Sequence, residues 1–314
     1  VKATVIYHSA DFDGIFCREI ARKFLPTDTK LIGWDFGDER VAIPDGPIYV
    51  LDLPVDRVFG FDYAVVGNQR GPQHPAGLVW IDHHASSIAS HPTDIPGYRI
   101  DGVAACRLTF QWFLKQWRMS TGMVWLLPDK QQFIDRKVTE PEAVRLAGEY
   151  DIWDKRDPRA DVFQFGLRSE PLEEYWPTLL DQDSDGRYRG FHIITRLLGN
   201  GELLQRYQNE QNASVIKDLG FTFQWEGLTW LACNHARYNS HLFTAGLRPE
   251  HDACFGFKFT GHCAAGEPCE DWSISLYHAP GKEQYDLSKI AVKHGGGGHR
   301  GACGFRTNKL PFLK

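Results

Sequence analysis

The sequence predicts an α/β protein in two parts. An N-terminal domain on a largely parallel sheet (1–186) is followed by a helical connector (187–219) and a smaller C-terminal α/β domain (220–314), with an active-site cleft between the two domains. Three observations carry this expectation. Short apolar runs bounded by turn residues recur up to His84, as buried strands do. Several of those runs end in Asp or His, and ligands in open α/β sheets bind outside the carboxyl ends of strands. Beyond residue 220 the texture changes to a closely spaced series of short strands.

The 314 residues allow two domains of ordinary size, and 42% hydrophobic with 24% charged residues is the balance of a soluble globular chain. No apolar run approaches the ~18 residues of a membrane span, and the chain enters its first strand without a signal-peptide pattern. Seven scattered cysteines, with no Cys-x-x-Cys pair, argue against a disulfide framework or zinc ribbon and favour a reducing, cytoplasmic setting. A net charge of −5 argues against a protein whose main task is coating duplex nucleic acid, which needs a basic face. Carboxylates neutralised by metal would reconcile that charge with a phosphate-bearing substrate.

Taken in order, Ala3 to Tyr7 reads as the first strand. His8-Ser9-Ala10-Asp11-Phe12-Asp13-Gly14 then turns into a helix whose apolar face is Ile15, Phe16, Ile20 and Phe24, ending at Pro26. On a locally extended backbone Asp11 and Asp13 project the same way, and Gly14 permits the sharp entry. Lys30 to Trp34 and Ile48 to Pro54 are further strands, the second with the carboxylate of Asp52 at its end. Asp52 needs a partner, because an isolated buried carboxylate is costly. Phe61 to Val66 is a possible strand. After a loop containing His74, Leu78 to Ile81 leads into Asp82-His83-His84.

A loop from Ala85 to Tyr98 precedes a helix over 101–118, with Asp101 as a possible cap. A second helix, Glu140 to Glu149, delivers Asp151 between aromatic neighbours; a salt bridge to Arg145 or Lys155 is the alternative use of that carboxylate. From Arg187 to Asp218 the pattern is helical, interrupted by Gly199-Asn200-Gly201. Strands are then expected at Phe221–Trp225, Thr229–Cys233, Ala253–Phe259, Ser273–Tyr277 and Gly304–Arg306. Between the last two, four consecutive glycines, Gly295 to Gly298, precede His299 and Arg300. Glycine-rich backbone of this kind exposes N–H groups to anions, and a flexible linker is the alternative. Neither the dinucleotide fingerprint nor the Walker sequence is present.

Together, His8-x-x-Asp11-x-Asp13-Gly14, Asp52, Asp82-His83-His84, Asp151 and Gly-Gly-Gly-Gly-His299 resemble the DHH phosphoesterase superfamily with its associated C-terminal domain. That group contains RecJ-like exonucleases, oligoribonucleases and cyclic-dinucleotide phosphodiesterases. The resemblance implies a two-metal site, usually manganese, with His8, Asp11 and Asp52 on one ion and Asp13, Asp52, His83 and Asp151 on the other. It implies His84 close to the substrate phosphate, and Gly296, Gly297, Gly298, His299 and Arg300 as phosphate contacts from the second domain. His8 and Asp11 stand one residue closer than in many members of oligoribonuclease character.

The ligand types lead to the same chemistry. Mixed carboxylate and imidazole donors without thiolates suit Mn²⁺, Mg²⁺ or other borderline divalent ions such as Co²⁺ better than structural zinc, and the resemblance points to Mn²⁺ among them. Two such ions ~4 Å apart activate a shared water and stabilise an in-line displacement at phosphorus. Asp82 is expected to accept a hydrogen bond from a metal-ligand histidine and fix its ring. The expected function is metal-dependent hydrolysis of phosphoesters in nucleotides or short single-stranded oligonucleotides. Manganese inorganic pyrophosphatase and a non-catalytic nucleotide- or nucleic-acid-binding relative are the alternatives. Trp153, Tyr238 and Phe243, and the loop Asn234-His235-Ala236-Arg237, are candidate base contacts, with packing or solvation as their alternative roles.

Overall fold

The structure, a computed structural model, describes residues 2–61, 74–181, 190–236, 239–260 and 271–313. The chain divides into two compact units, Val1–Leu204 and Gln205–Lys314.

The first unit opens with β1 (Thr4–His8), α1 (Phe12–Phe24), β2 (Lys30–Trp34), β3 (Ile48–Leu51), α2 (Val55–Phe59), β4 (Leu78–Asp82), α3 (Ala85–Ser90) and β5 (Gly97–Arg99). These five strands form one sheet in the order β2-β1-β3-β4-β5, parallel throughout. Alternate residues feed two cores. Val5, Tyr7, Leu51 and Ile81 pack on one face, and Ile6, Val50, Leu78 and Trp80 on the other. Burial of both faces is why these strands read as continuous apolar runs. The order reverses between β1 and β3, which leaves a crevice at their carboxyl ends.

The helices α4 (Ala105–Ser120), α5 (Lys130–Ile134), α6 (Glu142–Asp151), α7 (Arg159–Gly166) and α8 (Trp176–Leu179) complete the first core. In α1, Phe16, Cys17, Ile20 and Ala21 are fully buried, and Phe16 meets Trp176 edge-on at 4.9 Å. Arg107 of α4 and Glu140 are both buried, with the Arg107 Nε donating to both carboxylate oxygens at 3.0 Å.

Next comes α9 (Phe191–Leu219), which is unbroken at Gly199-Asn200-Gly201. Gly201 serves packing, whereas a Cβ on Gly199 would meet nothing within 4 Å. A Cβ on Gly201 would stand 2.0 Å from the Val162 carbonyl oxygen, and one on Gly166 would stand 2.1 Å from that of Leu197, so α7 and α9 touch backbone to backbone. Two other expectations are corrected. The segment 85–98, expected as a loop, holds α3 and the start of β5. The helix expected over 101–118 begins at Ala105, and Asp101 does not cap it, because Asp13 does. The possible strand at Phe61 to Val66 lies, beyond Phe61, outside the described residues, as do residues 187–189.

The second unit contains β6 (Gly220–Trp225), β7 (Leu228–Asn234), β8 (Ala253–Phe259), β9 (Trp272–His278), α10 (Leu287–Lys293), β10 (Gly297–His299) and β11 (Ala302–Thr307). The sheet order is β10-β11-β9-β8-β7-β6, with β7 and β8 parallel and the other neighbours antiparallel. One face packs Trp230, Phe255, Leu276 and Phe305, together with Leu287 and Ala291 of α10. The other packs Leu231, Cys233, Cys254 and Phe243. No helix among the described residues is long and apolar enough to cross a membrane.

The buried Arg107–Glu140 pair yields a stability prediction. Glu140→Ala leaves a guanidinium uncompensated in the core and should cost ~3–5 kcal/mol in denaturant unfolding, while Arg107→Met with Glu140→Leu should recover most of that loss. A single variant as stable as wild type would contradict this account of the core.

Candidate metal centre

Every candidate ligand from the first unit stands at a strand or helix end. His8 closes β1 and Asp11 caps α1, with its Oδ1 accepting from the Gly14 N–H at 3.1 Å. Asp52 follows β3, Asp82 ends β4, His83 and His84 follow it, and Asp151 is the last residue of α6. Gly14 lets α1 start against β1, since a Cβ there would lie 1.9 Å from the His8 carbonyl oxygen. Asp52 adopts φ 60°, the left-handed region that costs a residue other than glycine ~1–2 kcal/mol. Its N–H bonds to the Ile81 carbonyl at 2.9 Å, which ties the strained residue to the end of β4.

Two donor sets meet at Asp52. On one side, His8 Nδ1 is 3.1 Å from Asp11 Oδ2 and 3.4 Å from Asp52 Oδ2. On the other, His83 Nε2 is 3.4 Å from Asp52 Oδ1, 3.3 Å from Asp151 Oδ2 and 3.7 Å from Asp13 Oδ2. Asp52 therefore turns one oxygen to each set. His8, Asp11 and Asp52 form one group able to hold a metal ion, and Asp13, His83 and Asp151 form another. Donors around a small divalent ion bound at ~2.1 Å lie roughly 3 Å or more apart, the spacing found here. Asp151 thus faces His83. Arg145 and Lys155, its alternative partners, bond Asp157 and Asp161 instead.

Asp82 is wholly buried. Its Oδ1 accepts from the His83 and His84 N–H groups at 2.7 and 3.2 Å and lies 2.7 Å from His84 Nδ1. That contact sets the orientation of the His84 ring. Asp52, Asp82 and His84 form a further group with ligand-like spacing.

The electrostatics call for a cation. Asp52 Oδ1, Asp82 Oδ2 and Asp151 Oδ2 are buried oxygens without a well-formed hydrogen bond among the described residues. His83 Nε2 can offer at most one proton to the carboxylates around it. Burial, reinforced by the Asp52 charge, pushes the Asp13 carboxyl up to about 6. Burial and the Asp13 charge raise Asp151 well above the ordinary carboxylate range. Burial would raise Asp52 too, but the His8 and His83 rings outweigh it and hold that carboxyl low. Burial opposes protonation of His8, yet Asp11 and Asp52 push its pKa up to about 11. The cluster thus takes up positive charge by any route open to it, and a divalent ion supplies that charge directly. The nearby Cys17 and Cys106 thiols are buried and pushed far above their usual range, by burial first and by Asp13 next, so they offer no thiolate.

Two features were missed in the sequence. Asp35, just after β2, lies 3.3 Å from His8 Nε2 and holds the far side of that ring. The strand-end pattern that singled out Asp52 applies equally to Trp34-Asp35. Asp13 also has a structural role, since its two oxygens accept the Ala105 and Cys106 N–H groups at 2.8 Å each and so cap α4.

In the second unit most of the glycine run has local work. Gly295 (φ 79°) and Gly296 donate to Val292 and Ala291 at 3.0 and 2.8 Å, the paired bonds that terminate α10. Gly297, Gly298 and His299 form β10, paired with β11, and Arg300 bonds the Gln284 carbonyl at 2.9 Å. The run is an ordered hairpin arm, with Gly297, Gly298, His299 and Arg300 exposed. Of the candidate base contacts, Phe243 is fully buried and serves the core, and Trp153 is exposed with the Lys155 amine 4.9 Å from its ring centre. Arg237 and Tyr238 lie outside the described residues.

No family model matches the chain. A curated relative, an uncharacterised protein of Acanthamoeba polyphaga mimivirus, is 21% identical over 255 residues, which is 76% of this chain and 50% of the relative. The chain therefore spans about half the length of that relative. Among solved structures, the DHH domain of a member of a ribosomal protein family is similar over 96% of this chain and 82% of its own, at 12% identity and a TM-score of 0.51. A pGpG-specific phosphodiesterase from Vibrio cholerae aligns over 98% of this chain and 94% of its own, at 13% identity and a TM-score of 0.47. An exopolyphosphatase-related protein from Bacteroides fragilis aligns over 100% and 88%, at 12% identity and 0.43.

The unequal structural roles of the carboxylates are testable in the presence of chelator. Asp13→Ala strips the cap from α4 and should cost ~1–2 kcal/mol in denaturant unfolding. Asp151→Asn removes a buried charge that repels its neighbours and should leave metal-free stability unchanged or higher. Equal losses in the two variants would contradict the distinction.

Proposed function

We propose that this chain, which has the fold of a DHH-domain protein, is a metal-dependent hydrolase of phosphoester bonds in nucleotides or short single-stranded oligonucleotides. The observation that carries this reading is the placement of Asp52, whose two oxygens face separate donor sets. A carboxylate so placed suits a pair of ions sharing one ligand, the arrangement used for in-line displacement at phosphorus.

In this reading His8, Asp11 and Asp52 would hold one ion, and Asp13, His83 and Asp151, with the second Asp52 oxygen, the other. Oxygen and imidazole donors without thiolate suit Mn²⁺, Mg²⁺ or Co²⁺ better than structural zinc, and we favour Mn²⁺ among them on the family resemblance. When bound, such ions supply Lewis-acid stabilisation of phosphoryl oxygens and a nucleophilic water. The remaining work falls to the chain. Asp82 fixes the His84 ring through Nδ1, and we assign that ring to a phosphate oxygen or the leaving group. Asp35 fixes His8. We assign phosphate contacts to Gly296, Gly297, Gly298, His299 and Arg300, supported by the exposure of all but the first and by the imidazole and guanidinium they carry.

The test is a hydrolysis panel with metal-stripped protein, with and without added Mn²⁺. It should include short RNA and DNA oligomers, cyclic dinucleotides, 3′-phosphoadenosine 5′-phosphate and pyrophosphate. Turnover of a phosphoester should vanish with chelator and return with Mn²⁺; full activity of the stripped protein would refute the reading, and turnover of pyrophosphate alone would favour a pyrophosphatase. Asp52→Asn should weaken binding of both ions and abolish turnover. His299→Ala should keep its Mn²⁺ and lose ~1–3 kcal/mol in kcat/KM, the scale of one phosphate hydrogen bond. Loss of Mn²⁺ from His299→Ala with normal turnover in Asp52→Asn would reverse the assigned roles.

A further inference from the structure

The first unit carries a cavity of about 390 Å³ lined by Trp34, Phe36, Arg40, Asp56 and Arg57 among others, and Phe36 links it to His8 of the candidate metal centre through a ring contact. That volume falls within the ~300–1,000 Å³ of small-molecule sites. Phe36 is 58% exposed although it is a large apolar side chain. Its position is set by the backbone. The Phe36 N–H donates to Asp35 Oδ1 at 2.7 Å, Asp35 N–H donates to Asp38 Oδ2 at 2.8 Å, and Asp38 N–H returns to the Asp35 carbonyl at 3.0 Å. The ring is held by edge contacts with Trp34 and His8, at 5.7 and 5.8 Å between centroids. The same Asp35 thus anchors both the Phe36 backbone and the His8 imidazole.

Arg40 is the second observation. Its guanidinium makes no hydrogen bond or ion pair among the described residues and lies over Gly60, where a Cβ would come within 2.6 Å of its Nη1. Of the acidic groups at the cavity, Asp38 accepts from the Asp35 N–H, and Asp56 lies 3.0 Å from His91 Nε2 and 4.0 Å from Arg57 Nε. Trp153, another exposed aromatic of the first unit, has a cation over its ring. Phe36 instead pairs an open ring with an uncommitted guanidinium, the combination that stacks a heterocycle and hydrogen-bonds its edge.

We infer that this cavity is a nucleobase subsite, in which Phe36 stacks the base of a nucleotide whose phosphate lies at the metal cluster and Arg40 donates to the base edge. The inference rests on the hydrolase reading above and narrows it to substrates that carry a base next to the scissile phosphate. Phe36 and Arg40 are positioning residues for substrate and touch no proposed metal ligand except through the His8–Phe36 ring contact.

The full chain in Mn²⁺ should be titrated with adenosine 5′-monophosphate and, separately, with inorganic phosphate, while Mn²⁺ affinity is measured on the same samples. Wild type should bind the nucleotide more tightly than phosphate. Phe36→Ala should weaken nucleotide binding roughly 5- to 100-fold, the range set by base–aromatic stacking, and leave phosphate and Mn²⁺ binding unchanged. Phe36→Trp should restore the nucleotide affinity. The subsite is overturned if wild type shows no preference for the nucleotide, if Phe36→Ala leaves that preference intact, or if it weakens phosphate and nucleotide alike. Failure of the hydrolase reading registers separately, as absent Mn²⁺ and phosphate binding in wild type, and that result overturns the subsite as well.

Discussion

The first unit depends on concentrating negative charge where its parallel strands end. Asp11, Asp13, Asp52, Asp82 and Asp151 converge with three histidines in a volume mostly closed to water, and Asp13, Asp52 and Asp82 are almost completely buried. Such a group of charges is costly unless compensated. Part of the compensation comes from the fold itself. Asp11 caps α1, Asp13 caps α4, and Asp82 gathers the N–H groups of the two residues after it. The rest falls to the imidazoles, in an arrangement compatible with a divalent cation.

This arrangement explains features that would otherwise be liabilities. The left-handed Asp52 is strained, but the bend directs its two oxygens to different neighbours. Gly14 gives up helix propensity to let α1 press against His8. The strand order reverses between β1 and β3, the switch point where ligands bind in open α/β sheets, and His8 and Asp52 stand at the carboxyl ends of those two strands. Strain, glycine and topology thus serve one site.

Much of this was legible in the sequence because strand-end residues in an α/β sheet carry a strong local pattern. The expected strand at Lys30–Trp34 matches the observed one, the strand expected over Ile48–Pro54 ends at Leu51 because Asp52 turns into the left-handed region, and Asp52 stood out as a carboxylate that an apolar environment must compensate. What was hidden depends on contacts remote in sequence. That Asp13 caps a helix more than ninety residues away could not be read from its neighbours. Nor could the backbone contact of α7 and α9, which makes Gly199-Asn200-Gly201 read as an interruption when Gly201 is a packing position. The glycine run at 295–298 looked uniform, yet its members divide between ending α10 and pairing with β11. Asp35 was overlooked because it follows an amphipathic edge strand whose burial is partial.

The central claim is that Asp52 is shared between two ions, one on each oxygen. The most direct measurement is electron paramagnetic resonance of the Mn²⁺-loaded chain, combined with metal analysis. Two ions per chain with the spectrum of an exchange-coupled pair is the result expected of a shared carboxylate. A single ion, or two ions giving isolated, uncoupled spectra, would contradict it.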